Sequence, residues 1–271
     1  MVAVLPAFRD GSNALRSNPI LFVAGLLLAG GSQLQRVGEF VESPLLEVGA
    51  SLAWVLLFPF LLGGFIGMAR AALEGSDASL THFVSAGRRY YSRLLFATIL
   101  FVLLVVAAFL VLSMFGFITG FGGALALGAI DERAAFAAAV AVSLVWLALL
   151  LGVIMFLQFY DTAIVIEDTG VTEAFRRSVH LVRSNLKGVV GFSVVWVLLL
   201  NLFLVPEYLV ELLLTDADAT TVLPVDVGIP VQVLLPIGAV LSAVGFAYFY
   251  TVYTAFYVRL IRNEPADRDA A

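Results

Sequence analysis

Tyr160-Asp-Thr-Ala-Ile-Val-Ile-Glu-Asp-Thr-Gly-Val-Thr-Glu-Ala-Phe-Arg-Arg-Ser-Val-His-Leu-Val-Arg-Ser-Asn-Leu-Lys187 decides how this chain is built. It separates two long apolar runs and holds four of the fifteen basic residues, among them the only lysine. From Thr172 the pattern is that of an amphipathic helix. Phe175, Ser178, Val179, Val182 and Leu186 recur at steps of three and four and form one stripe. Glu173, Arg176, Arg177, His180, Arg183 and Lys187 form the opposite face. Asp168-Thr-Gly marks a turn ahead of it, and Thr172 is the expected N-cap, with Glu173 in the first turn where the helix dipole favours a carboxylate. Such a helix suits a membrane–water interface, lying flat with its arginines toward headgroups.

The runs on either side set the class. Hydrophobic residues make up 62% of the chain and charged residues 13%, and the mean hydropathy is +1.04. A water-soluble domain of this length has no use for so much apolar surface, so the chain reads as an all-α polytopic membrane protein, a single integral domain over 1–271 with a short polar tail at 263–271. The absence of cysteine excludes disulfides, thiolate metal sites and cysteine nucleophiles. Apolar runs predict six transmembrane helices, near 19–33, 45–69, 94–118, 134–160, 188–205 and 229–258. Pro59 predicts a kink in the second, and Gly63-x-x-x-Gly67 permits a close helix crossing there. Gly116-x-x-x-Gly120 and a Gly-rich turn at 120–128 close the third. The basic, apolar and small residues at the start also fit a cleavable signal peptide. We expect a retained span instead, because the same arrangement recurs inside the chain.

Basic residues give the orientation. Thirteen of the fifteen lie in the N-terminal segment, 70–93, 161–187 and the C-terminal segment, leaving only Arg36 and Arg133 on the other side. Both termini are therefore expected in the cytoplasm, in a multi-pass protein of the cell membrane. The acidic stretch at 206–228 (Glu207, Glu211, Asp216, Asp218, Asp226) falls outside and reads as a hydrated face.

Three inner segments align on their phenylalanines. Phe8 leads to Arg16-Ser17-Asn18, and Phe175 leads at the same distance to Arg183-Ser184-Asn185. A looser middle copy runs from Phe83 through Arg88, Arg89 and Tyr91 to Arg93. The chain thus divides into units of about 1–70, 71–160 and 161–262, three parallel repeats each made of a cytoplasmic amphipathic helix and a two-helix hairpin.

Chemistry is sparse. His82 and His180 lie in different segments, and no nucleophile elbow, phosphate loop or dinucleotide fingerprint occurs. Asp161, Glu167 and Asp168 could hold a divalent ion beside a phosphate, but they are better explained as turning the chain into the amphipathic helix. No ionisable residue falls at the centre of a span, which weighs against an ion-coupled carrier. The aromatic run from Phe246 through Tyr248, Phe249, Tyr250, Tyr253 and Phe256 to Tyr257 reads first as an interfacial belt.

Glu-Asp-x-Gly-x-x-x-Ala-Phe-x-x-Ser, followed by Val-Arg-Ser-Asn and a long apolar span, resembles the membrane domain fused to some glycerophosphodiester phosphodiesterases. It looks closest to stand-alone six-span relatives of haloarchaea, a family of unknown function. The resemblance implies membership rather than activity, since the soluble phosphodiesterase barrel and its catalytic residues have no counterpart here. The expected function is therefore non-enzymatic, without cofactor, metal or nucleic acid. Basic interfacial helices would engage anionic headgroups of membrane lipids or dock a protein partner, through Arg16, Arg88, Arg89, Arg93, Arg176, Arg177, Arg183 and Lys187. The alternative is a permease or channel subunit for a small solute.

Overall fold

The computed structural model describes residues 4–33, 43–123, 131–215 and 231–263, with side chains left aside at 32–33, 121, 203–215 and 231–239. The acidic side chains read at 206–228, most of the Gly-rich turn and the tail beyond Asn263 lie outside the described residues. Every regular element among those described is helical. They are α1 (Val4–Ser17), α2 (Ile20–Gln33), α3 (Pro44–Leu73), α4 (Leu80–Gly116, continued by a π-turn at Phe117–Phe121), α5 (Glu132–Leu157), α6 (Tyr160–Glu167), α7 (Val171–Ser184), α8 (Leu186–Thr215) and α9 (Val231–Arg262).

Four helical stretches are long and apolar enough to cross a membrane: Pro44–Leu73, Leu80–Gly120, Glu132–Glu167 and Val240–Arg262. The number rises to six if two bent pairs each count as one span, so the chain is a multi-pass membrane protein with four to six spans. The two pairs, α1 with α2 and α7 with α8, both bend by 101°. An asparagine stands at the bend in each. Asn18 Nδ2 donates to the Ala14 carbonyl at 3.3 Å, and Asn185 Nδ2 donates to the Leu181 carbonyl at 3.2 Å. Pro19 disfavours a helical Asn18 and so accounts for the stop in the first pair.

The middle segment departs from this plan. Its basic stretch is not a separate amphipathic helix but the first part of α4, which runs unbroken from Leu80 through Arg93 into the apolar span. Ser79 caps it by accepting from the His82 amide at 3.3 Å. Arg93 stands where the other two copies carry the asparagine of Ser-Asn.

Close crossings hold the bundle together. A Cβ on Gly64 would lie 2.7 Å from the Phe83 carbonyl oxygen, and one on Gly67 would lie 2.4 Å from Ala86 Cβ. Gly87 faces the Phe60 carbonyl as tightly, at 2.8 Å, so α3 and α4 touch nearly backbone to backbone. Helix α9 is the centre, packing on α1, α2, α3 and α8. This corrects the belt expected from its aromatic run. Phe249, Tyr253, Phe256 and Tyr257 are buried in the protein, and Phe256 stacks on Phe192 with ring centroids 4.0 Å apart. Their hydroxyls and rings find partners inside the bundle, which an interfacial position would not supply. The hairpin of α4 and α5 is the opposite case: no residue in the most apolar part of Glu132–Glu167 is fully buried by the rest of the described chain.

Candidate functional site

The stretch from Gln158 to Ser178 is where the helices meet. Helix α5 stops at Leu157, and α6 restarts at Tyr160 after a turn. The break releases backbone groups that a buried site must satisfy. Ser178 of α7 does most of this. Its hydroxyl donates to the Phe156 carbonyl at 2.8 Å and accepts from the Phe159 amide at 3.1 Å. The Tyr253 hydroxyl donates to the Gln158 carbonyl, and Thr162 Oγ1 donates to the Phe159 carbonyl at 3.0 Å. Phe175 stacks on Tyr160 at 5.1 Å. The Phe-x-x-Ser spacing therefore puts a ring and a hydroxyl on the same face of α7, one against α6 and the other in the break. Ser178→Ala orphans two buried backbone groups, each worth roughly 1–3 kcal/mol. We expect it to destabilise the purified protein by about 3 kcal/mol in detergent unfolding, while Ser92→Ala, at an exposed position, leaves the transition in place.

Beyond the break, three carboxylates meet three separate sets of partners. Asp161 is buried; its Oδ1 accepts from the Thr162 amide at 2.7 Å and lies 3.0 Å from the Tyr253 oxygen, sharing that hydroxyl's single proton with the Gln158 carbonyl. Glu167 accepts from Arg177 Nε on both oxygens, at 3.0 and 2.9 Å, and from the Tyr257 hydroxyl. Asp168 accepts from Arg89 and Arg93, each at 2.6 Å, and Arg70 reaches the Ile166 carbonyl at 3.0 Å. Side chains of α3, α4, α7 and α9 thus converge on one turn, Ile166-Glu167-Asp168. Among the described residues no three metal-ligating side chains come together.

Asp168 is the point on which the turn depends. It sits in the left-handed region, at φ 55° and ψ 32°, a conformation that aspartate tolerates better than most residues. Hydrogen bonds from Arg93 and Arg89 hold its carboxyl below the usual carboxylate range. Because Asp168 ends α6 this way, α7 begins two residues earlier than expected. Its N-cap is Gly170, with no side-chain cap bond, and Thr172 lies inside the first turn.

The eight basic residues singled out from the sequence divide in two. Arg89, Arg93 and Arg177 are engaged with Asp168 and Glu167. Arg16, Arg88, Arg176, Arg183 and Lys187 are exposed and take part in no ion pair among the described residues. Reading the sequence passed over the tyrosines of α9 and over Arg70 as partners of the turn. Tyr253 and Tyr257 stand one helical turn apart and match Asp161 and Glu167 across the interface, a pairing that no local spacing shows. It also missed the link between the ends, where Arg259 Nε donates to Asp10 at 2.6 Å.

The model of a family described as a domain of unknown function, DUF7847, matches residues 2–260. No curated protein and no solved structure is similar enough to the chain to count as a match.

Proposed function

We propose that this chain, which belongs to the DUF7847 family, is a non-enzymatic membrane protein whose inner basic face engages anionic lipid headgroups. The observation that carries the reading is the division of its cations. Three arginines are consumed in holding the Ile166–Asp168 turn, while Arg16, Arg88, Arg176, Arg183 and Lys187 remain exposed without a carboxylate partner among the described residues. Unpaired cations beside apolar spans find their complement in phosphate headgroups, at about 1 kcal/mol per basic residue near an anionic surface.

In this reading the chain crosses the cell membrane six times, as three parallel units with both termini in the cytoplasm. The shared 101° bend of α1–α2 and α7–α8 supports it, because a helix set across the direction of its span lies along the interface. A kinship with the membrane domain of glycerophosphodiester phosphodiesterases belongs to the same reading and brings no catalytic residues with it. The permease alternative has little to draw on. The space of about 220 Å³ between α4 and α5 is lined by apolar groups such as Leu112, Val142 and Trp146.

The test neutralises Arg16, Arg176, Arg183 and Lys187 together to glutamine. Arg177 is left alone, because its loss would open the contact with Glu167. Phosphatidylglycerol retained by the purified protein is expected to fall at least fivefold and to lose its salt dependence. Unchanged retention would sink the reading, and tracer flux above protein-free liposomes would establish the permease instead.

A further inference from the structure

The tight crossing of α3 and α4 has an open side. Where Gly63, Gly64 and Gly67 bring the two backbones together, the helices part on one flank and leave a groove of about 540 Å³. Its α3 wall is a single stripe, Ala53, Leu56, Leu57 and Phe60, at helical steps of three, one and three. Its α4 wall is Arg88 and Tyr91, one turn apart. The volume falls in the roughly 300–1,000 Å³ range of small-molecule sites.

Charge separates this groove from ordinary lipid-facing surface. Arg89, the next residue, turns to Asp168, whereas Arg88 points to the groove and makes no ion pair or hydrogen bond among the described residues. Tyr91 likewise donates its hydroxyl to nothing described. The groove therefore offers a forked cation and a phenol at one wall and four apolar side chains at the other. We propose that it is a binding site for one anionic phospholipid, with the phosphate on Arg88 and Tyr91 and an acyl chain along the α3 stripe. Guanidinium matches phosphate in a two-point geometry that an ammonium lacks. A bare phosphate would leave the apolar stripe uncovered, and a zwitterionic lipid would bring its own cation to Arg88. The site rests on the reading above, that the exposed cations take anionic headgroups, and narrows it to one stoichiometric lipid.

The full chain in detergent, titrated with phosphatidylglycerol, phosphatidylcholine or inorganic phosphate and followed by native mass spectrometry, tests the assignment. Wild type is expected to retain one phosphatidylglycerol in preference to phosphatidylcholine. Arg88→Gln is expected to weaken that binding about fivefold and erase the preference. Leu57→Trp, which fills the stripe, is expected to lower retention of both lipids. Four results would each overturn the site: equal binding of the two lipids by wild type, wild-type retention by R88Q, displacement of the lipid by inorganic phosphate, or a dimer mass in place of a lipid adduct. The fourfold glutamine variant separates the two proposals. If it sheds anionic lipid while R88Q does not, the groove fails and the broader function stands; if R88Q alone loses one lipid, the groove stands and the engagement of headgroups by the other four cations fails.

Discussion

Gly64→Leu is expected to keep α3 and α4 from seating and to cost about 3 kcal/mol, the upper end for overpacking a close contact. The first atom added would lie 2.7 Å from the Phe83 carbonyl oxygen and 3.0 Å from two atoms of the Phe83 ring. The ring can turn aside, but the carbonyl belongs to the backbone of α4 and moves only with the helix. Gly87 presses on the Phe60 carbonyl from the other direction, so the two helices have no slack to share. The expected result in detergent is loss of the single size-exclusion peak, or a markedly lower melting temperature. Gly49→Leu in the same helix is the control, since nothing stands within 4 Å of its Cβ position. If both variants behave like wild type, the α3–α4 crossing is not what holds this half of the bundle.

Arg177→Ala is expected to destabilise the protein by about 2–3 kcal/mol. The Arg177 and Glu167 side chains are only 17% and 25% exposed. Removing the arginine leaves a half-buried carboxylate facing the Tyr257 hydroxyl alone, and a stranded charge costs more than the pair contributes. The partial exposure lowers the figure from the 3–5 kcal/mol of a fully buried pair. Removing both charges separates this cause from simple loss of packing. Glu167→Gln with Arg177→Met keeps an acceptor for Tyr257 and apolar bulk on α7, and unfolding in detergent is expected to recover most of the loss. A double variant as unstable as R177A would show that the ion pair itself, rather than the stranded carboxylate, carries the contribution.

These two contacts mark how far the sequence could be read. The glycines of α3 were legible because a Gly-x-x-x-Gly stripe in an apolar run has one common physical use, close helix approach. The stripe of α7 was legible in part: Phe175, Ser178 and Val182 are buried as their spacing predicts, but Val179 is half-buried and Leu186, beyond the bend, is exposed. Composition alone placed the chain in a membrane, since periodicity and hydropathy are local properties. The partners of the 160–187 stretch are different. Arg177 and Arg183 share a polar face and look alike in sequence, yet one closes on Glu167 while the other stays exposed. Which is which depends on where α6 ends, and that end is set by Asp168, held by arginines about 75 residues earlier.

The aromatic run of α9 shows the same division from the other side. Seven rings near a helix end fit an interfacial belt as well as a core, and the pattern within the helix cannot distinguish them. Only the position of α9 among α1, α2, α3 and α8 buries Phe249, Tyr253, Phe256 and Tyr257, with Tyr253 and Tyr257 turned to Gln158, Asp161 and Glu167 beside them. The sequence by itself determined the class, most of the helical segments and the glycine seam. Tertiary structure alone decided which arginines are spent on the fold and which stay exposed. A side chain's partner is a matter of distance between elements, and that distance appears only when the helices are assembled.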